Sequence, residues 1–387
     1  MVVYSDNSSK SEVKYLTGTP CLNQIVNPLL HNLQIKINGS LTEKLFFEQL
    51  ISLAINGRSV HSGRKTNQKF LSDTALYHHL NKFTMEDLMD ASFDVLWDSA
   101  KKHLDKSKEY EIAIDYTYDP YYGDRTDENR AYINDAQRKK STHKFYAYAT
   151  LSIVNKNEKF ILAALPLKKE HTNLEYVKLM LTALDKHKIK PKVIYMDGGF
   201  YGKDLFDYLI KRNIPFVCPM PLKRGRIQKI VDATKSTKIV PYEVRGHFYR
   251  SGQSVLINMG IAVCRVVEKG VRVTKKYLFA YYGLPWGVKK VSRMYEHRFS
   301  IEATYRIRND VKPRTSTRNP VIRYLFALIS FVIENVWVSI QNTHFIKNQR
   351  GPKVIDEDKF RLECFRVLVN SRLRGILKEI CRCPVLR

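Results

Sequence analysis

Between residues 110 and 218 the spacing of apolar residues switches from the two-residue period of strands to the 3.6-residue period of helices and back, and few folds accommodate that order. Glu111-Ile-Ala-Ile-Asp115 reads as a strand, as do Lys144–Val154 and Lys159–Leu165. Asn155-Lys-Asn-Glu158 is a polar turn of hairpin length between the last two. Helical spacing follows over 173–188. Lys192–Asp197 is then a short apolar strand ending in an acid, 202–212 is helical, and Pro215–Cys218 is a last strand. Three antiparallel strands followed by helix–strand–helix–strand predict an α/β fold, a mixed sheet flanked by helices.

The flanks are expected to be helical. Residues 1–105 form an N-terminal helical domain in which Thr84 and Asp87 resemble a capping box opening a helix to about residue 103. Arg58, Arg64, Lys65 and Lys69 within it suggest binding of DNA ends, although the near-neutral charge of this region fits a packing domain as well. A core over 106–320 contains an all-β insertion at 220–290, punctuated by Gly246, Gly252, Gly260 and Gly270. Helices are expected over 292–309 and 320–343. Residues 321–387 form a C-terminal helical region whose tail helix runs over 358–380. Arg323, Glu334 and Asn335 interrupt the apolar run at 321–340, which favours a buried helix over a membrane span.

Charge points to the partner. The chain of 387 residues carries a net +27. Residues 221–320 alone hold 22 Lys/Arg against 6 Asp/Glu, a net +16, whereas residues 1–110 hold 13 against 12. That block also carries Tyr242, Phe248, Tyr249, Tyr277, Phe279, Tyr281, Tyr282 and Trp286. Cations that neutralise phosphates beside rings that stack on bases are the ingredients of a DNA channel. A solvated basic surface is the plainer alternative. The six cysteines include no C-x-x-C pair, and the first ten residues have no apolar signal core. Both features fit a reducing cytoplasmic setting, where a DNA-binding protein associates with the nucleoid.

Three acids stand out. Asp115 and Asp197 each end a β run, and Gly198-Gly199 after the second allows a sharp turn and close approach of a ligand. Each alone could simply cap a turn. The third, Glu302, sits on the expected 292–309 helix, where Tyr295, Arg298, Glu302, Arg306 and Asn309 share one face. An Arg298–Glu302–Arg306 salt-bridge ladder explains that face without chemistry. The functional alternative is two-metal phosphodiester chemistry, in which a few carboxylates hold two Mg²⁺ ions, with Mn²⁺ able to substitute.

Tyr295-Glu-His-Arg298-Phe-Ser-Ile-Glu302 resembles the Tyr-x2-Arg-x3-Glu-x6-Lys signature of prokaryotic insertion-sequence DDE transposases, and the wording of the motifs is most like archaeal members. Ile114-Asp115-Tyr-Thr and Asp197-Gly-Gly-Phe-Tyr201 resemble the first and second acid motifs of that group, and the likeness spans about 110–320. It implies an RNase H-like core, with Asp115, Asp197 and Glu302 as catalytic metal ligands. It also implies cut-and-paste transposition, in which a transposon end is cut and the freed 3′-OH attacks target DNA. The partners so implied are double-stranded DNA, as terminal inverted repeats and target, and a second copy of the chain in a homodimeric synaptic complex. Tyr295, Arg298, Arg306, Arg308 and Lys312 would contact DNA, and Trp286, Tyr281 or Tyr282 would receive a flipped base. One departure is Asn309, where the group has Lys. A nuclease or resolvase that cuts without joining would share the triad, and a domesticated DNA-binding protein would have lost an acid.

Overall fold

A computed structural model describes residues 15–379 except 40, 140, 223–224, 247–253, 269, 348, 351–353 and 357, and only the backbone at 139, 268, 300 and 302–304. One nine-stranded mixed sheet runs through it. The strands are β1 (Glu109–Pro120), β2 (Ile133–Lys139), β3 (Thr142–Asn155), β4 (Glu158–Pro166), β5 (Lys190–Met196), β6 (Phe216–Pro219), β7 (Lys238–Arg245), β8 (Ser254–Glu268) and β9 (Val271–Tyr282). Their order is β2-β3-β1-β5-β6-β9-β8-β7, with β4 pairing β3. β1, β5 and β6 are mutually parallel, and the other pairings are antiparallel.

Alternation along β1 and β5 separates two cores. Ile112, Ile114, Ile194 and Met196 pack toward α6 (Asn173–His187) and α7 (Lys203–Lys211). Ala113, Val193 and Tyr195 pack on the other face with Val291 and Tyr295 of α9 (Val288–Tyr295) and Ile301 of α10 (Ser300–Asp310). A third core joins both ends of the chain. Within it α1 (Gly18–Asn32), α2 (Glu43–Ile55) and α5 (Met85–Ala100) meet α11 (Pro320–His344) and α12 (Leu362–Leu377). The described helices of residues 15–105 and 320–379 therefore share one core.

Helix α11 is long and apolar enough to cross a membrane but is buried among its neighbours. The residue that breaks its apolar run shows why it lies here. β4 lies at the sheet margin, and the Asn335 amide meets its free edge as another strand would. Asn335 Oδ1 accepts from the Ile161 N–H (2.9 Å), and its Nδ2 donates to the Ile161 carbonyl (2.8 Å) and to Ser99 Oγ (2.9 Å).

Three expectations change. The insertion is not all-β, because α8 (Arg226–Asp232) precedes its strands, and β9 joins β6 so that the insertion extends the central sheet. β1 continues past Asp115 to Pro120, paired with β3. The helix expected over 292–309 is broken into α9, a 3-10 turn at Glu296–Phe299, and α10. The break turns Arg298 inward, where burial of a guanidinium is tolerated because a carboxylate meets it.

α10 is fastened to β1 by a second buried cation. Arg308, fully buried, donates to Thr117 Oγ1 (3.1 Å) and to Asp119, and lies over the rings of Tyr148 and Phe331. Lys312 Nζ reaches the same Asp119 carboxylate at 2.7 Å. Burial alone would raise the Asp119 pKa, but the charges of Arg308 and Lys312 outweigh it and hold it below the ordinary range. Burial, with Arg308 nearby, pushes the Lys312 ammonium down to about 8.

Two substitutions test these fastenings by chemical denaturation. Asn335→Leu leaves the Ile161 N–H and carbonyl buried without their partner and is expected to cost about 3 kcal/mol. A loss below about 1 kcal/mol would mean that the amide bridge is not a determinant of the fold. Arg308→Met strips Asp119 of its main partner, and a similar loss of about 3 kcal/mol is expected. An unchanged midpoint would show that Lys312 alone neutralises Asp119.

Candidate active site

The register of β1 and β5 brings two of the three acids together. Ile114 is paired with Met196, so Asp115 and Asp197 are the next residues on adjacent parallel strands, whose spacing is about 4.8 Å. Both continue the alternation of Ala113 and Tyr195, so both lie on the face covered by α9 and α10. The Asp115 reading needs one correction: it is mid-strand in β1, but it sits where pairing with β5 ends.

The two acids have different surroundings. Asp115 is partly buried; its Oδ2 accepts from Arg298 Nη1 (2.6 Å) and its Oδ1 from the Tyr116 N–H (2.8 Å). Asp197 is exposed and precedes the 3-10 turn Gly198–Phe200, yet its side chain does not cap that turn. The plain turn-capping explanation therefore fails for it. The chain does turn tightly at the two glycines, with the Phe200 N–H donating to the Asp197 carbonyl (2.9 Å), although neither glycine adopts a left-handed backbone. A Cβ at Gly199 would meet nothing within 4 Å, so the space beside Asp197 is open.

Arg298 is 6% exposed, lies over the rings of Tyr295 (5.4 Å) and Phe299 (4.9 Å), and is within electrostatic reach of both acids. Burial would lower its pKa, but Tyr295, Asp115 and Asp197 together raise it and keep the guanidinium charged. Tyr295 donates its hydroxyl to the Met196 carbonyl (3.2 Å), fixing α9 to the end of β5. Its neighbour His297 meets Glu111 of β1 at 2.8 Å, and Tyr195 donates to the same carboxylate (3.2 Å).

The Glu302 backbone is in the first turn of α10, between Arg298 and Tyr305, both of which reach the Asp115 region. The reading of Glu302 as a catalytic ligand concerns a side chain outside the described residues. Among the described residues no three His, Cys, Asp or Glu side chains converge as a metal site.

The expected DNA contacts separate into two groups. Arg306 is exposed on α10, as is Asn309, which stands where the resembled group has Lys. The others need correction. Arg308 has no exposed surface and is bound to Thr117 and Asp119, and Lys312 is largely committed to Asp119. Tyr295 and Arg298 are buried and hold the acids' strands in place. Trp286 and Tyr281 are core residues, while Tyr282 is half-buried and stacked on Phe216. Asp119 is a buried partner of two cations.

Sequence reasoning missed Thr150 and Tyr305. Thr150 lies opposite Asp115 on β3; its hydroxyl is 2.5 Å from that of Tyr305 and 3.2 Å from the Asp115 carbonyl. Tyr305, three residues past Glu302, was the available signal, because a buried phenol needs a polar partner.

Residues 106–311, more than half of the chain, match the family described as transposase DDE domain. No curated protein matches the sequence significantly. The fold is similar to that of a piggyBac transposase solved by cryo-EM as a synaptic complex with hairpin DNA. The TM-score is 0.56 at 10% identity, covering 96% of this chain and 83% of that one. With two carboxylates side by side at the end of a parallel strand pair, in a sheet of this order, the chain belongs to the transposase DDE-domain family.

Proposed function

We propose that this protein is a DNA transposase of insertion-sequence type that cuts double-stranded DNA at transposon ends and joins the freed 3′-OH to target DNA. The observation that carries this reading is the position of Asp115 and Asp197, each one residue past the Ile114–Met196 pair, beside a charged, buried Arg298. Family membership supports DNA transposition and divalent-metal use in general. We assign the ions as Mg²⁺, replaceable by Mn²⁺, and place the reaction in the cytoplasm on nucleoid DNA, with two copies of the chain bridging two ends.

The residues present fit such ions. Carboxylate oxygens are the donors Mg²⁺ prefers, and the exposed Asp197 leaves an open approach. Asp115, Asp197 and Glu302 would hold them. What bound cations supply is stabilisation of charge on the attacking and leaving oxygens of an in-line displacement. The protein's own contribution is positioning. Arg298 fixes one Asp115 oxygen, the Tyr116 N–H fixes the other, and Tyr295 ties α9 to the strand that ends at Asp197. Tyr305 and Thr150 tie α10, which carries position 302, to the strand opposite Asp115.

A strand-transfer assay with labelled ends and a target plasmid tests the reading, and cleavage without joining would defeat it. Chelation of divalent ions should abolish both steps. Asp197→Asn should reduce cleavage by roughly 10³-fold, about 4 kcal/mol of transition-state stabilisation, without altering the thermal midpoint by more than a few degrees. Retention of wild-type cleavage would remove Asp197 from the site. Arg298→Lys keeps the charge but loses the planar fork, so a 10–100-fold loss is expected, with a higher Mg²⁺ concentration at half-maximal rate. An unchanged Mg²⁺ titration would show that Arg298 does not orient Asp115.

A further inference from the structure

The base of the β insertion contains a cleft of about 960 Å³ between the approach to β7, the middle of β8 and β9, and the start of α9. Lys235, Lys238, Arg265, Lys289 and Lys290 line it, and no Asp or Glu does. All five are exposed, and none makes an ion pair among the described residues. Some cations elsewhere on the surface are paired: Lys186 with Asp94 (2.6 Å), Lys211 with Asp207 (2.8 Å) and Arg212 with Asp185 (2.9 Å). Five uncompensated like charges around one cleft repel one another, and a polyanion relieves that repulsion.

The walls are built rather than loose. Val263 N–H donates to Thr237 Oγ1 (3.1 Å), holding the Lys235–Lys238 segment against β8. Arg265 and Thr274 are directly paired across the β8–β9 ladder. Lys290 lies 5.0 Å over the Trp286 ring, which is itself in the core. Gly287 begins α9 with no side-chain cap, and Gly287, Val288, Lys289 and Lys290 all border the cleft. The far end of α9 is Tyr295, which is bonded to the Met196 carbonyl beside Asp197. Eight helical residues span roughly 12 Å, and a B-DNA strand advances about 3.4 Å per phosphate. A duplex whose backbone rests in the cleft would therefore reach the acids within three or four base steps.

We infer that this cleft holds the sugar–phosphate backbone of duplex DNA a few base steps from the bond cut at Asp115 and Asp197. The inference rests on the transposase reading and names where on the insertion the DNA is gripped. It assigns the contact to unpaired surface cations at the cleft and leaves none to the buried Trp286.

The experiment measures the salt dependence of binding to a duplex carrying the element's end, with Lys289→Gln/Lys290→Gln and Lys238→Gln/Arg265→Gln as separate double variants. Each pair should flatten the slope of log K against log salt by about 1–2 and weaken binding roughly 10–50-fold near 100 mM salt. Lys186→Gln/Lys211→Gln, which removes cations paired elsewhere, should change neither. A photo-crosslinker attached at Thr274→Cys should label DNA in protein that keeps all five cations, so the inference does not depend on the charge variants folding. Unchanged slopes in both groove variants, or no crosslink, would overturn the inference and leave a solvated basic face. A protein that binds the duplex in the cleft but never cuts or joins it would instead defeat the transposase reading and leave the cleft standing.

Discussion

The site depends on how far β1 and β5 remain paired. β5 accompanies β1 from Glu109 to Ile114 and then stops, while β1 continues to Pro120 with β3 as its neighbour. One side of β1 is thereby open from Asp115 onward. Residues 295–312 cover that face, and described side chains among them bond to partners on β1, β3 and β5. Tyr295 takes the Met196 carbonyl, His297 takes Glu111, Arg298 takes Asp115, Tyr305 takes Thr150, and Arg308 takes Thr117 and Asp119. A one-residue slip of β1 would send all of its acids to the opposite face, so register and chemistry are fixed together.

That arrangement explains why the helix is interrupted at 296–299. A continuous helix would keep Arg298 on the solvent side with Arg306. The 3-10 turn carries Arg298 under Tyr295 and Phe299, where an arginine suits better than a lysine because its plane stacks on both rings while its fork meets the carboxylate. Removing either member of such a buried pair leaves an uncompensated charge, which makes the segment hard to displace.

Much of this was legible in the sequence. Period and length gave β3, β4, β5, α6, α7 and α11 to within about two residues, and the start of β1 but not its end, and Thr84 accepts from the Asp87 N–H as its spacing suggested. Strand β2, Ile133-Asn-Asp-Ala-Gln-Arg-Lys139, escaped because an edge strand facing water needs no alternation. The misread residues share one cause. Arg308 and Asp119 are 189 positions apart, and Arg298 and Asp115 are 183, so spacing along one helix could not show that these cations are spoken for. Charge on a helix reads as surface until a partner from another element is known. The same blindness made Trp286 look available when the insertion core had already enclosed it.

A protein that binds polyanions with an acidic centre has an electrostatic conflict, because carboxylates that attract metal repel phosphate. The fold eases it by distance and by pairing. At the centre, Arg298 balances Asp115, and Arg308 with Lys312 balances Asp119, so these two acids add little net negative field. Asp197 remains exposed, within electrostatic reach of Arg298, and is where a divalent cation would add positive charge. A cluster of cations with no ion pair among the described residues lies farther out, at the cleft lined by Lys235, Lys238, Arg265, Lys289 and Lys290. Buried arginines thus hold acids, and the exposed cations of the cleft are the ones we infer to meet DNA. The net +27 of the chain consequently says little about which cations face the substrate until burial has sorted them.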